Sequence, residues 1–332
     1  MIPEQMVAIE VEGGKGQASA LRPVRTATPK PGSGQILIRV RAAGINRPDI
    51  LQRLGFYPPP PGAPATLGLE VAGEVAALGE GAPRWKLGDA VTALLGGGGY
   101  AEYAVVDARH ALPLPKGFDF TQAAALPETV FTVYANVFEH GGLKAGETLM
   151  VHGATSGIGV AAIQMTKAAG ARVIATGRGA DKAAAALELG ADYAIDTSKE
   201  DFAEAARALG GVDVVLDMVG GDYVAKDMQA LNTGGRIVMI ATQAGANVEL
   251  NLLAVMQKRL VVTGSTLRPR DADEKARLAA AVEKTVWPWI EAGKLTPVID
   301  AAFPLEKAAE AHARLEAGAH VGKVMLTVQP HV

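Results

Sequence analysis

A glycine-rich turn between an apolar run and a helical pattern constrains the fold of this chain most. The apolar residues 148–151 precede this turn, and Gly157-Ile-Gly159-Val-Ala-Ala162 within it fits the pattern G-x-G-x-x-G/A. The pattern indicates dinucleotide binding only where it follows a strand and begins a helix, as the flanking residues predict here. Small residues let the backbone approach a pyrophosphate, which the N–H groups of the helix start can bind. The alternative is an ordinary glycine turn without a ligand.

The alternation of strands and helices continues through the middle of the chain. Residues 172–176, 212–217, 236–241 and 260–263 are apolar runs typical of strands, and helical patterns cover 160–169, 198–209, 222–231 and 252–258. Continuous apolar strands that alternate with helices predict a parallel sheet covered on both faces. Ligands of such sheets bind beyond the carboxyl ends of the strands. We therefore expect a cofactor to bind near the residues that follow the strands, which are Val219, Gly220, Ala241 to Gly245, Ser265, Thr266 and Leu267.

The end of the second strand indicates which dinucleotide binds. NAD-binding proteins usually place an acidic residue there for the ribose 2′-hydroxyl, but this chain has Gly177-Arg178-Gly179, with Lys182 close behind. A guanidinium in this place favours a 2′-phosphate, and therefore NADPH. We interpret the nearby Asp181 as the N-cap of the next helix. A solvent-exposed loop role for Arg178 is the alternative.

Composition excludes several classes of function. The 332 residues are enough for about two domains, the net charge is −3, and 49% of the residues are hydrophobic. This charge gives no general basic surface for nucleic acid or an acidic membrane. There are 0 cysteines, which excludes disulfides and thiolate metal sites. Since the six histidines show no paired ligand spacing, we expect no metal site. The N-terminus lacks the features of a signal peptide, and we expect a cytoplasmic protein, with another soluble interior compartment as the alternative.

The N-terminal part has a different pattern from the middle. Strand patterns at 35–42, 67–78, 90–95 and 100–106 are separated by Gly/Pro turns, which predicts an antiparallel, barrel-like domain. We expect this barrel-like domain to be the catalytic domain and to cover residues 1–124. A Rossmann-type α/β domain that binds NADPH should cover residues 125–268. The segment 269–332 is expected to return to the first domain through a long helix, a shorter one at 304–317 and a strand at 323–328. Pro288 should kink or end the long helix.

Several strings along the chain resemble one family. They are Ala43-Gly-Ile-Asn-Arg-Pro-Asp49, the segments 52–62 and 67–75, Trp85-Lys-Leu-Gly-Asp89, the segment 124–129, the fingerprint, and Val321-Gly-Lys-Val-Met-Leu326. Together they resemble the zinc-free quinone oxidoreductases of the medium-chain dehydrogenase/reductase superfamily, most closely the p53-inducible group. Zinc-dependent relatives carry cysteine at the place of Asn46 and histidine at the place of Leu69. The resemblance implies a GroES-like first domain and a homodimer, and residues 260–263 are our candidate for its edge strand.

The resemblance also implies roles for individual residues. Asn46 and Tyr57 would line the space before the nicotinamide, and Tyr57 could donate a hydrogen bond to the acceptor oxygen. The alternatives are that Tyr57 packs on the proline loop and that Asn46 caps a helix. Glu70 is expected to form a structural ion pair, with an arginine as the candidate partner. The further residues expected at the cofactor are Thr132, Ala154, Ser156, Gly157, Ile158, Gly159, Lys182, Tyr193 and Lys323.

The function implied by the resemblance is hydride transfer from NADPH to a quinone, without zinc, in the cleft between the domains. Reduction of the C=C bond of enals or enones uses the same hydride geometry and is the enzymatic alternative. A structural or RNA-binding protein that binds a nucleotide is the non-enzymatic alternative, although the net charge of −3 disfavours RNA binding. We expect a small-molecule partner and no membrane.

Overall fold

The computed structural model describes residues 1–329. In chain order the strands are β1 (Gln5–Val11), β2 (Leu21–Ala27), β3 (Gln35–Ile45), β4 (Glu70–Leu78), β5 (Ala90–Leu94), β6 (Tyr103–Asp107), β7 (Ala111–Pro113), β8 (Thr148–Val151), β9 (Arg172–Gly177), β10 (Tyr193–Asp196), β11 (Val212–Asp217), β12 (Leu231–Met239), β13 (Val261–Gly264), β14 (Ile299–Pro304) and β15 (Lys323–Thr327).

The α-helices are α1 (Arg47–Arg53), α2 (Phe120–Ala124), α3 (Pro127–Val133), α4 (Gly157–Ala168), α5 (Ala180–Glu188), α6 (Phe202–Ala208), α7 (Tyr223–Ala230), α8 (Leu252–Lys258), α9 (Ala272–Glu291) and α10 (Ala308–Glu316). Short 3₁₀ turns cover Ala18–Ala20 and Leu305–Lys307, and a π-helix covers Tyr134–His140. None of the helices found in residues 1–329 is both long and apolar enough to cross a membrane.

The chain divides into two compact units. Unit 1 consists of Met1–Thr129, Arg268–Glu291 and the chain from Pro297 on, and unit 2 consists of Val130–Leu267 and Ala292–Thr296. Unit 1 contains the hairpin β1–β2 and a sheet in the order β14-β15-β3-β4-β5-β7, with β6 also paired to β3. Apart from the parallel pair β14–β15, the neighbours in this sheet run antiparallel. Since β15 pairs with β3, the C-terminal segment belongs to the sheet that the N-terminal residues form.

Unit 2 is built on a parallel sheet in the order β10-β9-β8-β11-β12-β13. All four residues of β8 are buried, as the continuous apolar run predicts for a strand covered on both faces. The carboxyl ends of parallel strands meet at one edge, which brings the turns after β8, β9, β11 and β12 together. The predicted fold class is thus confirmed: an α/β, Rossmann-type sheet in unit 2 and a mainly antiparallel, barrel-like fold in unit 1. β13 lies at the edge of the sheet, where the predicted dimer contact stays a prediction.

Three local predictions are wrong or inexact. The N-cap of α5 is Gly179 and not Asp181, since φ of 106° at residue 179 favours glycine; Asp181 lies in the first turn. The helix predicted from residue 198 begins at Phe202, because the Asp201 carboxylate accepts the N–H groups of Ala203 and Glu204. The helix α9 does not end at Pro288 but continues to Glu291, and a kink at Pro288 stays a prediction. Val286, Trp287 and Ile290 in this last part are buried, and Nε1 of Trp287 donates to the carbonyl of Pro113.

Candidate functional site

The glycine turn of unit 2 joins strand β8 to helix α4. Ser156 is the N-cap of α4, and its Oγ accepts the N–H of Gly159 at 3.0 Å. A Cβ on Gly159 would lie 2.4 Å from the carbonyl oxygen of Ala154, so only glycine allows the helix to start this close to the strand. Helix geometry leaves the N–H groups of Gly157 and Ile158 without an intrahelical partner. The predicted residues 154 and 156–159 therefore lie together in one turn with backbone donors.

The turn after β9 presents a positive charge. Arg178 is exposed there, while Lys182 is half-buried on the first turn of α5. Asp196, at the carboxyl end of β10, holds this turn, because its Oδ1 accepts the N–H of Gly179 at 2.8 Å. The same oxygen also accepts the backbone N–H and the hydroxyl of Ser198. Sequence reasoning missed Asp196, although its place at the end of a strand was the available signal.

The turns after β11 and β12 are tied to each other by backbone contacts. The N–H of Ala244 donates to the carbonyl of Val219 at 2.7 Å, and Gly220 forms a β-bridge with Gly245. Val219 and Gly220 are in turn held by the buried carboxylate of Asp217, whose Oδ1 accepts their N–H groups at 2.6 and 3.1 Å. The predicted residues 219, 220 and 241 thus follow neighbouring strand ends in one connected loop layer.

A buried amide connects two other predicted residues. The hydroxyl of Ser265 donates to Oδ1 of Asn136 at 2.8 Å, and Nδ2 of Asn136 donates to the carbonyl of Thr132 at 2.8 Å. Thr266 and Leu267 follow directly after Ser265 in the chain. Asn136 is 2% exposed and was not predicted, since it belongs to no recognisable motif.

Tyr193 is not brought to this edge. It is the first residue of β10 and pairs with Ile174, whereas Asp196 at the other end pairs with Gly177. Three residues of strand span about 10 Å, so Tyr193 lies that far along the strand from the turn with Arg178. It lines a separate surface cavity with Leu187 and Leu209. Its predicted cofactor contact has no support from this position.

Unit 1 contains a buried cluster of charged and polar side chains. Nζ of Lys323 lies 2.7 Å from Oε1 of Glu70, and the same oxygen accepts Nδ2 of Asn46 at 2.9 Å. Lys323 also donates to Oδ1 of Asn46 and to the carbonyl of Ile45. Glu70 does form an ion pair, but its partner is a lysine and not an arginine. The three ammonium donors of Lys323 are all used here, which leaves none for a cofactor oxygen.

Tight packing fixes this cluster. A Cβ on Gly44 would lie 2.0 Å from Oε1 of Glu70, so glycine at position 44 makes room for the carboxylate. Asn46 is the N-cap of α1, but its side chain bonds Glu70 while Asp49 accepts the Asn46 N–H at 2.8 Å. The alternative that the Asn46 side chain only caps the helix is therefore incomplete.

Two carboxyl groups beside this cluster have shifted pKa values. Burial raises the pKa of Asp49 to about 6, against the lowering effect of the Asn46 and Gly68 N–H groups. Burial and then the charge of Glu70 raise the pKa of Glu128 to about 8. The Glu128 carboxyl is consequently protonated at neutral pH and can donate a hydrogen bond or a proton.

Tyr57 lies against an arginine that sequence reasoning missed. The Arg268 guanidinium carbon is 5.5 Å from the centroid of the Tyr57 ring, and Nε of Arg268 donates to the carbonyl of Gly96 at 2.9 Å. Arg268 is 6% exposed, and Nη1 and Nη2 have no hydrogen-bond partner among residues 1–329. Burial and then Glu128 raise the pKa of Tyr57, while Arg268 lowers it. Tyr57 is thus a protonated donor at neutral pH beside a buried guanidinium whose two Nη atoms make no hydrogen bond within residues 1–329.

Comparisons with known proteins agree with both units. Residues 32–116 match the alcohol dehydrogenase GroES-like domain, and residues 189–326 match the zinc-binding dehydrogenase family. The quinone oxidoreductase of Homo sapiens is 33% identical over 305 residues, which cover 90% of this chain and 91% of that protein. The chain belongs to the quinone oxidoreductase family of medium-chain dehydrogenase/reductases.

Solved structures of related proteins show the same fold over nearly the whole chain. The Escherichia coli quinone oxidoreductase complexed with NADPH is 30% identical, with a TM-score of 0.85 and coverage of 97% of this chain and 99% of that one. An NAD-dependent alcohol dehydrogenase is 32% identical, with a TM-score of 0.85 and coverage of 98% and 100%. Membership of the quinone oxidoreductase family makes this chain an oxidoreductase; these two relatives differ in the cofactor that their descriptions name.

Proposed function

We propose that the protein is an NADPH-dependent quinone reductase that works without zinc. The proposal is carried by the residues at the carboxyl edge of the unit 2 sheet. There a glycine turn leads into α4, and the exposed Arg178 occupies the place of the acid that an NAD-binding strand end usually carries. The human and Escherichia coli relatives support the same reaction.

The residues of unit 2 fit a phosphorylated dinucleotide. Glycine at residue 159 lets the turn pack against the Ala154 carbonyl and keep its shape, and the α4 N-terminus supplies backbone donors and a favourable dipole for the charge of a pyrophosphate. Arg178 has no partner among the described residues and would pair with a 2′-phosphate. When bound, NADPH supplies the hydride, and the protein supplies orientation and electrostatics.

The residues of unit 1 do not fit a zinc ion. Leu69, where zinc-dependent relatives carry a ligand, is a buried apolar side chain without a donor atom. Asn46 and Glu70 already bind the ammonium group of Lys323, and a divalent cation beside this ammonium would be repelled. A quinone needs no Lewis acid to accept a hydride, so this site agrees with a quinone better than with an alcohol.

Tyr57 has the chemistry to assist the acceptor. Its hydroxyl can donate a hydrogen bond to the acceptor oxygen, where negative charge develops as the hydride arrives. Arg268 beside its ring stabilises that charge, and Glu128 stays protonated below about pH 8 and therefore does not cancel it.

The test is NADPH oxidation by the Tyr57→Phe variant with a small quinone, alongside an alkenal and metal analysis of the same sample. Loss of one hydrogen bond to developing charge should lower kcat/KM about tenfold to a hundredfold, with NADPH affinity unchanged. An unchanged kcat/KM would remove the role of Tyr57. Faster turnover of the alkenal than of any quinone would instead favour the enone reductase alternative.

A further inference from the structure

A buried chain of side chains lies directly beneath the loop that holds Val219 and Gly220. His152 stands at the end of β8, Thr176 in β9, Asp217 at the end of β11, and Asp227 in α7. His152, Asp217 and Asp227 are each 0% exposed and Thr176 is 2% exposed. None of them belongs to the fingerprint, and none is used by the proposed reaction.

The distances define two hydrogen bonds among these side chains. Nδ1 of His152 lies 2.8 Å from Oγ1 of Thr176, and Nε2 of His152 lies 2.8 Å from Oδ1 of Asp227. The ligand atoms of His152, Asp227 and Asp217 all lie within 4.8 Å of one another. Phe202 and Tyr223 pack edge-on against the imidazole, which excludes water from it. Oδ2 of Asp227 is buried and has no hydrogen-bond partner among residues 1–329, as two ionised carboxylates, which only accept, would leave it.

Two arrangements contain the same number of protons. In the first, His152 is an imidazolium between Thr176 and an ionised Asp227, and two buried carboxylates face each other. In the second, His152 is neutral and the proton lies on Oδ2 of Asp227, which donates a hydrogen bond to the Asp217 carboxylate. Burial of a charged group is costly, and the second arrangement buries one charge where the first buries three. Burial raises the pKa of Asp227, the imidazole of His152 lowers it, and Asp217 raises it further.

The second arrangement also gives every hydrogen bond a donor and an acceptor. The Thr176 hydroxyl donates to Nδ1 of His152, and Nε2–H of His152 donates to Oδ1 of Asp227. The Asp227 Oδ2–H then donates to Asp217, which remains the single carboxylate. That carboxylate accepts the N–H groups of Val219 and Gly220, and charge-assisted bonds of this type are the strong ones.

We infer that Asp227, held by His152, is the protonated member of this pair and positions the cofactor loop by keeping the negative charge on Asp217. The inference rests on the proposed function, because the loop matters only if a dinucleotide binds there. Asp227 and His152 are positioning residues that act through Asp217 and touch no ligand themselves. A metal ion bound by the same three residues is the competing use of the cluster, and the test includes it.

The experiment compares Asp227→Asn with Asp227→Leu. An asparagine reproduces the proposed state, since its carbonyl accepts from His152 and its amide donates to Asp217. We expect Asp227→Asn to bind NADPH within about twofold of wild type, whereas Asp217→Asn, which removes the charge beneath the loop, should bind about tenfold more weakly. Asp227→Leu should bind at least as weakly as Asp217→Asn. The control is Asp222→Asn, an exposed carboxylate at the N-terminus of the same helix, which should leave the dissociation constant unchanged.

Calorimetric titration with NADPH gives these constants, and thermal unfolding shows which variants fold. Nitrogen-15 spectra of histidine-labelled wild type should show His152 with its single ring proton on Nε2, as the bonds to Thr176 and Asp227 require. An imidazolium there, or equal weakening by Asp227→Asn and Asp217→Asn, would overturn the inference. A stoichiometric metal ion that Asp227→Asn releases would overturn it too. If wild type binds no NADPH, the proposed function fails, and the histidine spectrum still decides where the proton lies.

Discussion

The two units build their candidate sites from different materials. In unit 2 the contacts come from backbone groups and from glycines within a few residues of each other, such as Gly153 to Gly159. In unit 1 they come from charged side chains that the sheet gathers from distant parts of the sequence, such as Glu70 and Lys323. The first kind of site depends mainly on local backbone conformation, with Arg178 and Asp217 as its charged groups. The second kind depends on the balance of charges among distant side chains.

The largest effect should follow from breaking that balance. Lys323→Met leaves the Glu70 carboxylate buried without its cation, and such a loss costs about 3–5 kcal/mol of unfolding free energy. Urea unfolding measures it. The double variant Lys323→Met/Glu70→Gln removes both charges and should recover most of the stability; a double variant as unstable as the single one would show that the ion pair is not the reason.

A smaller effect should follow from removing Arg178, the exposed cation in the turn after β9 of unit 2. Arg178→Ala deletes a charge-assisted hydrogen bond worth about 1.5–3 kcal/mol, so NADPH should bind at least about tenfold more weakly. NADH affinity should not change, because NADH lacks the 2′-phosphate. Arg207→Ala, an exposed arginine of α6, is the matched control. Equal weakening for both nucleotides would assign Arg178 a structural role.

The smallest effect concerns the pH dependence of unit 1. Folding raises the pKa of Glu128 from 4.5 to about 8, so between these values the folded chain binds more protons than the unfolded chain. Stability should therefore fall as pH rises through this window. The measurement runs from about pH 6.5 to 8, because Asp49, with a pKa of about 6, would also titrate at lower pH. Over this range the free energy of unfolding should fall by at most about 2 kcal/mol.

Urea unfolding of Glu128→Gln at both pH values isolates this contribution. The variant cannot titrate at residue 128, and it keeps the backbone N–H that donates to Oε2 of Glu70 at 2.8 Å. It should therefore lose less stability over the window than wild type. The exposed Glu80→Gln serves as the control and should follow wild type. Parallel curves for wild type and Glu128→Gln would mean that the Glu128 carboxyl is ionised in the folded protein at neutral pH.

The sequence predicts the unit 2 site better than the unit 1 site, because the residues of the unit 2 site lie closer together in the sequence. The fingerprint, the strand ends and Arg178 were readable because a local pattern defines each of them. Asn136 and the role of His152 were not, because their partners Ser265 and Asp227 come from distant parts of the sequence. Asp196 was missed although it lies at a strand end, because its partner Gly179 belongs to the turn after the neighbouring strand. The Glu70 partner was misassigned for the same reason, since Lys323 reaches it through the pairing of β15 with β3.

Backbone conformation explains the remaining differences. Asp181 has the chemistry of an N-cap, but the glycine at 179 adopts a positive φ and begins the helix two residues earlier than a cap at 181 would. Tyr193 was assigned by resemblance alone, and its place at the amino end of a strand was visible only in the pairing register.

The central claim is that the chain transfers a hydride from NADPH to a quinone through its own residues. The most direct measurement is the rate of NADPH oxidation by a small quinone in chelator-treated protein, with protium and with deuterium at the transferred C4 position. We predict quinone-dependent oxidation that survives the chelator and slows with deuterium. An absence of oxidation with every quinone, or activity that returns only with added zinc, would contradict the account.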